Sequence, residues 1–231
     1  MNQVSMSRKR LDEYKAVVFD LDGTLYYQKP FRLRMIRFLA GYLLMHPKAI
    51  KDMLIILEYR KIREDWERYE DTMHFEEHVD IDSRQYSYVA SKKRTTPEHV
   101  QEVIQFFMLD APLKLMYDYR DHVLARKIEE LYEKQVKIVI YSDYPVTEKL
   151  KALQVQADMC FTSADEEINC MKPDPKGLEM ILKHLQMKPE EVIMVGDRYE
   201  KDGLAAVANH MDFIILDANK KKRHMQEREL L

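Results

Sequence analysis

The sequence predicts an α/β fold: a doubly wound, mostly parallel sheet with a separate all-helical insertion. Continuous apolar runs at Ala16–Phe19, Val136–Tyr141, Val192–Val195 and Phe213–Leu216 have the pattern of strands buried on both faces by helices. Helical patterns precede the later runs, and this alternation defines a wound α/β core. In addition, three of the runs end at their carboxyl side in polar, chemistry-bearing residues, at the edge where open α/β sheets bind ligands.

The first run stops at Asp20-Leu21-Asp22-Gly23-Thr24. Side chains alternate along a strand, so Asp20 and Asp22 leave its end on the same side. Two adjacent negative charges repel unless a cation or a shared proton offsets them. A strand that merely ends in an Asp-Gly turn is the plainer interpretation of this segment taken alone.

Residues 29–118 have a different character. From Phe31 to about Asp118 the pattern is helical, rich in Met, Tyr, Arg and Glu, with no clear strand. Met53, Leu54, Leu57 and Ile62 fall near helical spacing, and Met53, Ile56 and Trp66 are expected in a helix-bundle core. The expected division is therefore 1–28 with 119–231 as the α/β core and 29–118 as an inserted helical cap that closes over the site and excludes water. Arg60, Arg63, Tyr86, Tyr88, Lys92, Lys93 and Arg94 are candidate substrate contacts there, most of them expected to be exposed.

Past the insertion, the pattern His122–Lys134 predicts the helix before the second run. That run delivers Ser142 and Asp143 to the sheet edge. Lys176–Leu185 predicts the helix before the third run, which ends in Gly196-Asp197. The charge run Lys220-Lys221-Lys222-Arg223 is expected to be a solvated tail.

Composition limits the alternatives. The chain has 231 residues, 33% charged and 46% apolar, as in an ordinary globular protein. A net charge of −3 argues against a nucleic-acid binder. Two cysteines, Cys160 and Cys170, exclude a disulfide framework. The longest apolar stretch, Met35–Met45, contains Arg37 and falls short of the ~20 residues a membrane span needs. A cytoplasmic protein without a secretory leader is expected, as a monomer or as a homodimer through the apolar Leu39–Met45 segment. His74-Phe75-Glu76-Glu77-His78 formally matches a zinc-peptidase arrangement, but it sits in an acidic stretch without an evident third ligand.

Four motifs in order resemble the haloacid dehalogenase (HAD) superfamily: Asp20-Leu21-Asp22-Gly23-Thr24, Ser142 after an apolar strand, Lys172-Pro173, and Gly196-Asp197 with Asp202. The resemblance covers about residues 12–28 and 119–216 and implies a Rossmann-like core with a helical cap. It implies Asp20 as a nucleophile that forms an aspartyl-phosphate, and Asp22 as a general acid/base. Thr24, Ser142, Asp143 and Lys172 are implied at the substrate phosphate. Mg²⁺ is implied at Asp20, Asp22 (through its carbonyl), Asp197 and Asp202, in keeping with that ion's preference for oxygen ligands.

Lys172 would offset charge, since an ion pair at ~4 Å is worth ~4 kcal/mol in an effective dielectric near 20. Superfamily dehalogenases generally lack the second aspartate, so Asp22 favours phosphoryl transfer. The expected activity is a Mg²⁺-dependent phosphatase acting on a small phosphorylated metabolite. A phosphomutase or phosphotransferase on the same core, or a non-catalytic regulatory binding protein, are the alternatives.

Overall fold

The computed structural model describes residues 9–70 and 79–230. The zinc-like segment His74–His78 lies outside the described residues. In chain order the elements are β1 (Ala16–Phe19), α1 (Gln28–Met45), α2 (Ile50–Glu64), α3 (Trp66–Glu70), α4 (Ile81–Lys93), α5 (Pro97–Ile104), α6 (Ala111–Met116) and α7 (His122–Glu133). They continue with β2 (Lys137–Ser142), α8 (Thr147–Leu153), β3 (Met159–Thr162), α9 (Lys176–Leu185), β4 (Val192–Gly196), α10 (Leu204–Ala208), β5 (Asp212–Ile215) and α11 (Lys220–Leu230).

The five strands form one parallel sheet in the order β3-β2-β1-β4-β5. All four residues of β1 are buried, as are all five of β4, because helices cover both faces. Strand β3 is absent from the expected set. It is a four-residue edge strand with a half-exposed pattern, so Met159-Cys160-Phe161-Thr162 lacks the continuous apolar run of an interior strand.

Helix α7 begins where Asp121 accepts the N–H groups of Val123 and Leu124. It buries Leu124, Ile128 and Leu131 at helical spacing. Helix α9 buries Leu178 and Ile181 against Val18, Val139, Met194 and Phe213 of the sheet. Each such large apolar side chain contributes about 1.5–3 kcal/mol on burial.

The described residues separate into two compact units. One holds the chain up to Phe31 and from Met116 onward; the other holds Arg32–Leu115. The boundary falls inside α1, because the Phe31 ring packs edge-on against Tyr26 at 5.2 Å and Tyr119 at 5.4 Å. The second unit is all-helical. Met53, Ile56 and Trp66 are buried in it, whereas Leu54 and Leu57 are exposed on α2, as are Leu44 and Met45 at the end of α1.

Two of its candidate contact residues are buried instead of exposed. Arg63 pairs with Asp82 at 2.5 Å and donates to Tyr59 at 2.8 Å, while the Tyr88 ring lies against those of Trp66 and Tyr69. A guanidinium buried this way satisfies the interior of the unit and is not available to a ligand. Among the described residues, no helix is long and apolar enough to cross a membrane.

Candidate active site

Strand order reverses on either side of β1, and that is where an open α/β sheet leaves a crevice at its carboxyl edge. Register brings the site together there. Phe19 pairs with both Ile140 and Val195, so Asp20 emerges beside the ends of β2 and β4. The Asp20 N–H still donates to Val195 O at 2.9 Å, which extends the ladder one residue into the site.

Asp20 is buried among charged partners. Lys172 Nζ donates to Asp20 Oδ1 and to Asp202 Oδ1, both at 2.7 Å, and to Tyr141 O at 3.3 Å. Asp202 Oδ2 accepts the N–H groups of Asp197 and Arg198 at 3.2 and 3.1 Å, so this residue also fixes the turn after β4. Burial raises Asp20 well above the usual carboxylate range, with Asp202 and Asp197 adding to the rise and Lys172 opposing it. Burial and the neighbouring Asp202 likewise push Asp197 up to about 7. Burial alone would lower Lys172, but the charges of Asp20 and Asp202 outweigh it and keep the ammonium protonated.

Asp20, Asp197 and Asp202 each offer one carboxylate oxygen within 4.8 Å of the others. Two glycines leave room for them. Gly23 has φ +106°, and a Cβ there would run into the Asp197 carboxylate; a Cβ on Gly196 would run into that of Asp202. Crowded, buried carboxylates are what a hard divalent cation relieves, and an all-oxygen donor set suits Mg²⁺. The residues present therefore fit such an ion.

Asp22 departs from its expected state. A general acid should carry a proton, yet Lys149 Nζ donates to both of its carboxylate oxygens, at 2.8 and 2.6 Å, and the Tyr26 hydroxyl donates at 2.7 Å. Burial would raise Asp22, but these partners hold it below the usual range as a carboxylate. Its side chain is not part of the three-carboxylate cluster, and its carbonyl accepts from Gln28 Nε2 at 3.4 Å.

Two expected phosphate contacts are otherwise engaged. The Thr24 hydroxyl, fully buried, donates to Asp20 Oδ2 at 3.0 Å and so orients that carboxylate. Asp143 Oδ1 accepts the Lys172 N–H at 3.2 Å and Oδ2 lies 3.8 Å from Lys201 Nζ. A carboxylate repels a phosphoryl oxygen, so the Asp143 side chain supports Lys172 instead. Ser142 ends β2, where its Oγ accepts the Tyr144 N–H at 3.1 Å and donates to Asp22 Oδ2 at 3.4 Å.

Lys149, Tyr26 and Arg223 were not legible as site residues. Lys149 follows Ser142 by a full turn of loop and helix, and Tyr26 lies past the Asp-Gly turn, so neither belongs to a spaced motif. Arg223 is the opposite of a solvated tail: it is 1% exposed and reaches the carbonyls of Gly23 and Thr24.

The wound α/β sheet thus delivers a carboxylate pair, a buried lysine and a three-acid cluster to one edge. Residues 14–210 match the family model of haloacid dehalogenase-like hydrolases, and the chain belongs to that family.

Among curated relatives, pyrophosphatase PpaX of Listeria welshimeri is 30% identical over 120 residues, and that of Listeria innocua is 32% identical over the same length. Each match covers 49% of this chain and 54% of the relative, so the chain spans about half the length of the curated relatives it matches. Among solved structures, a 2-haloacid dehalogenase from Pseudomonas syringae superposes with a TM-score of 0.59 at 17% identity, covering 88% of this chain and 86% of that one. The HAD hydrolase YfnB of Bacillus subtilis, solved with magnesium bound, gives 0.60 at 17% identity, covering 90% and 89%. These likenesses concern the fold.

Proposed function

We propose that this protein is a Mg²⁺-dependent phosphatase of a small phosphorylated compound, working through a phosphorylated Asp20. The observation that carries the reading is the second aspartate. Asp22 stands beside Asp20 with partners of its own, Lys149 and Tyr26, leaving Asp20 to Lys172 and Thr24. A carbon–halogen substrate leaves as halide and needs no such proton-transferring group; a phosphate ester leaves as an alkoxide and does. The relatives named pyrophosphatase point to phosphoryl transfer as well, from a phosphoanhydride rather than an ester.

In this reading Asp20, Asp197, Asp202 and the Asp22 carbonyl hold the metal. When bound, Mg²⁺ offsets the charge of the phosphoryl group and of the carboxylates around it. Lys172 draws negative charge from both Asp20 and the phosphoryl oxygens, and Thr24 aims the attacking oxygen of Asp20. Arrival of a monoanionic phosphate raises the proton affinity of Asp22, which takes up the proton that this phosphate carries. Protonated Asp22 then gives its proton to the leaving oxygen as the Asp20–phosphorus bond forms. As a carboxylate again, with Lys149 as counterion, it takes a proton from the water that attacks the acyl phosphate, releasing inorganic phosphate and restoring Asp20.

The test is release of inorganic phosphate from a panel of phosphate monoesters and pyrophosphate with Mg²⁺, with 2-chloropropionate as the dehalogenase control. Wild type should turn over at least one phosphate compound, lose the activity with EDTA and regain it with Mg²⁺. Asp20→Asn should be inactive with an unchanged circular dichroism spectrum. Halide release without phosphate release, or full activity of Asp20→Asn, would overturn the reading.

A further inference from the structure

Among the described residues, the largest fully buried side chain is not in the sheet but on the C-terminal helix. Arg223 lies in the densest charge run of the sequence, yet it is 1% exposed. Its Nη1 donates to Gly23 O at 2.8 Å and its Nη2 to Thr24 O. Its Nε lies 2.6 Å from Asp121 Oδ2 and 3.3 Å from Glu227 Oε1. The guanidinium sits over the Tyr27 ring at 5.3 Å, and the Tyr27 hydroxyl meets His224 Nε2 at 3.1 Å, so two residues of α11 grip the same segment.

The two carbonyls belong to the turn that carries Asp20 and Asp22. That turn has little regular structure of its own: Thr24 and Leu25 N–H both bond Leu21 O, and Gly23 takes φ +106°. A planar fork that binds adjacent carbonyls sets their direction as well as their distance, which an ammonium does not. Asp121 completes the tie, because its other oxygen caps α7. We propose that Arg223 is a positioning residue, a latch by which α11 holds the Asp20–Leu25 turn in the geometry that the chemistry needs. The inference rests on the reading of Asp20 as the nucleophile, and it assigns the C-terminal helix a part in the reaction without contact with substrate.

The experiment uses the full chain with Arg223→Met and Arg223→Lys. Steady-state kinetics on the best phosphate compound, well below the melting temperature, are combined with hydrogen–deuterium exchange of residues 21–27. Misplacing reacting groups by about 1 Å costs on the order of 10²-fold. Arg223→Met should therefore lose about 100-fold in kcat with KM within about twofold, and its turn amides should exchange faster. Arg223→Lys, which keeps charge and stem but not the fork, should regain only part of kcat.

Wild-type kcat in a cooperatively melting Arg223→Met, or unchanged exchange of the turn, would overturn the latch. Where Arg223→Met does not melt cooperatively, Arg223→Lys decides: full kcat overturns the proposal, and a kcat loss at unchanged KM supports it. If wild type hydrolyses no phosphate compound, the function proposed above fails, while the exchange measurement still judges the latch.

Discussion

Replacing Lys172 with Met tests the electrostatic construction of the site most directly. The ammonium is 2% exposed and lies 2.7 Å from one oxygen each of Asp20 and Asp202. In an effective dielectric near 20, each contact at that distance is worth about 6 kcal/mol of gross attraction. Desolvation of the buried charges offsets most of it, and removing one partner of a buried pair leaves a net loss of about 3–5 kcal/mol.

Urea unfolding followed by circular dichroism at pH 7 should show that loss, a large share of a typical total stability of about 5–15 kcal/mol. Asp202→Asn combined with Lys172→Met should recover part of it, with a coupling of about 0.5–3 kcal/mol. Activity should be lost in both variants. A Lys172→Met loss below about 1 kcal/mol, or strictly additive effects in the pair, would refute the argument that Lys172 is the counterion of a buried carboxylate cluster.

Two further outcomes follow from the pairs that only the structure revealed. Lys149→Met should move the limb of the pH–rate profile that reports Asp22 to higher pH, since Lys149 holds Asp22 below the usual carboxylate range; limbs unmoved from wild type would show that Asp22 is not a group titrating in the profile. Burial and the neighbouring Asp121 push Glu227 from 4.5 up to about 7. The folded state thus binds this proton more tightly than the unfolded chain, and the associated stability, full below pH 4.5, is lost as pH rises through 7. Glu227→Gln removes that dependence, so its stability relative to wild type should rise between pH 5 and 8 in parallel melts, and a flat difference would contradict the assignment.

Much of the fold and the centre of the site follow from local pattern. Interior strands announce themselves as continuous apolar runs, and Asp20 and Asp197 directly follow strand ends that any parallel wound sheet brings to one edge, with Lys172 and Asp202 supplied by the segments after β3 and β4. These properties depend on burial period and chain order, which a sequence carries explicitly.

Partner choice does not. Whether Thr24 points at a ligand or at Asp20, whether Asp22 is protonated or held by Lys149, and whether Asp143 meets phosphate or steadies Lys172 depend on angstrom-scale approach between distant segments. The edge strand β3 escaped because half its surface faces solvent and its pattern is diluted. Arg223 is the clearest case. A run of Lys220–Arg223 is locally indistinguishable from a solvated tail; only packing of α11 against the Asp20 turn and Asp121 supplies the buried carbonyls and carboxylate that make burial of one of its charges favourable.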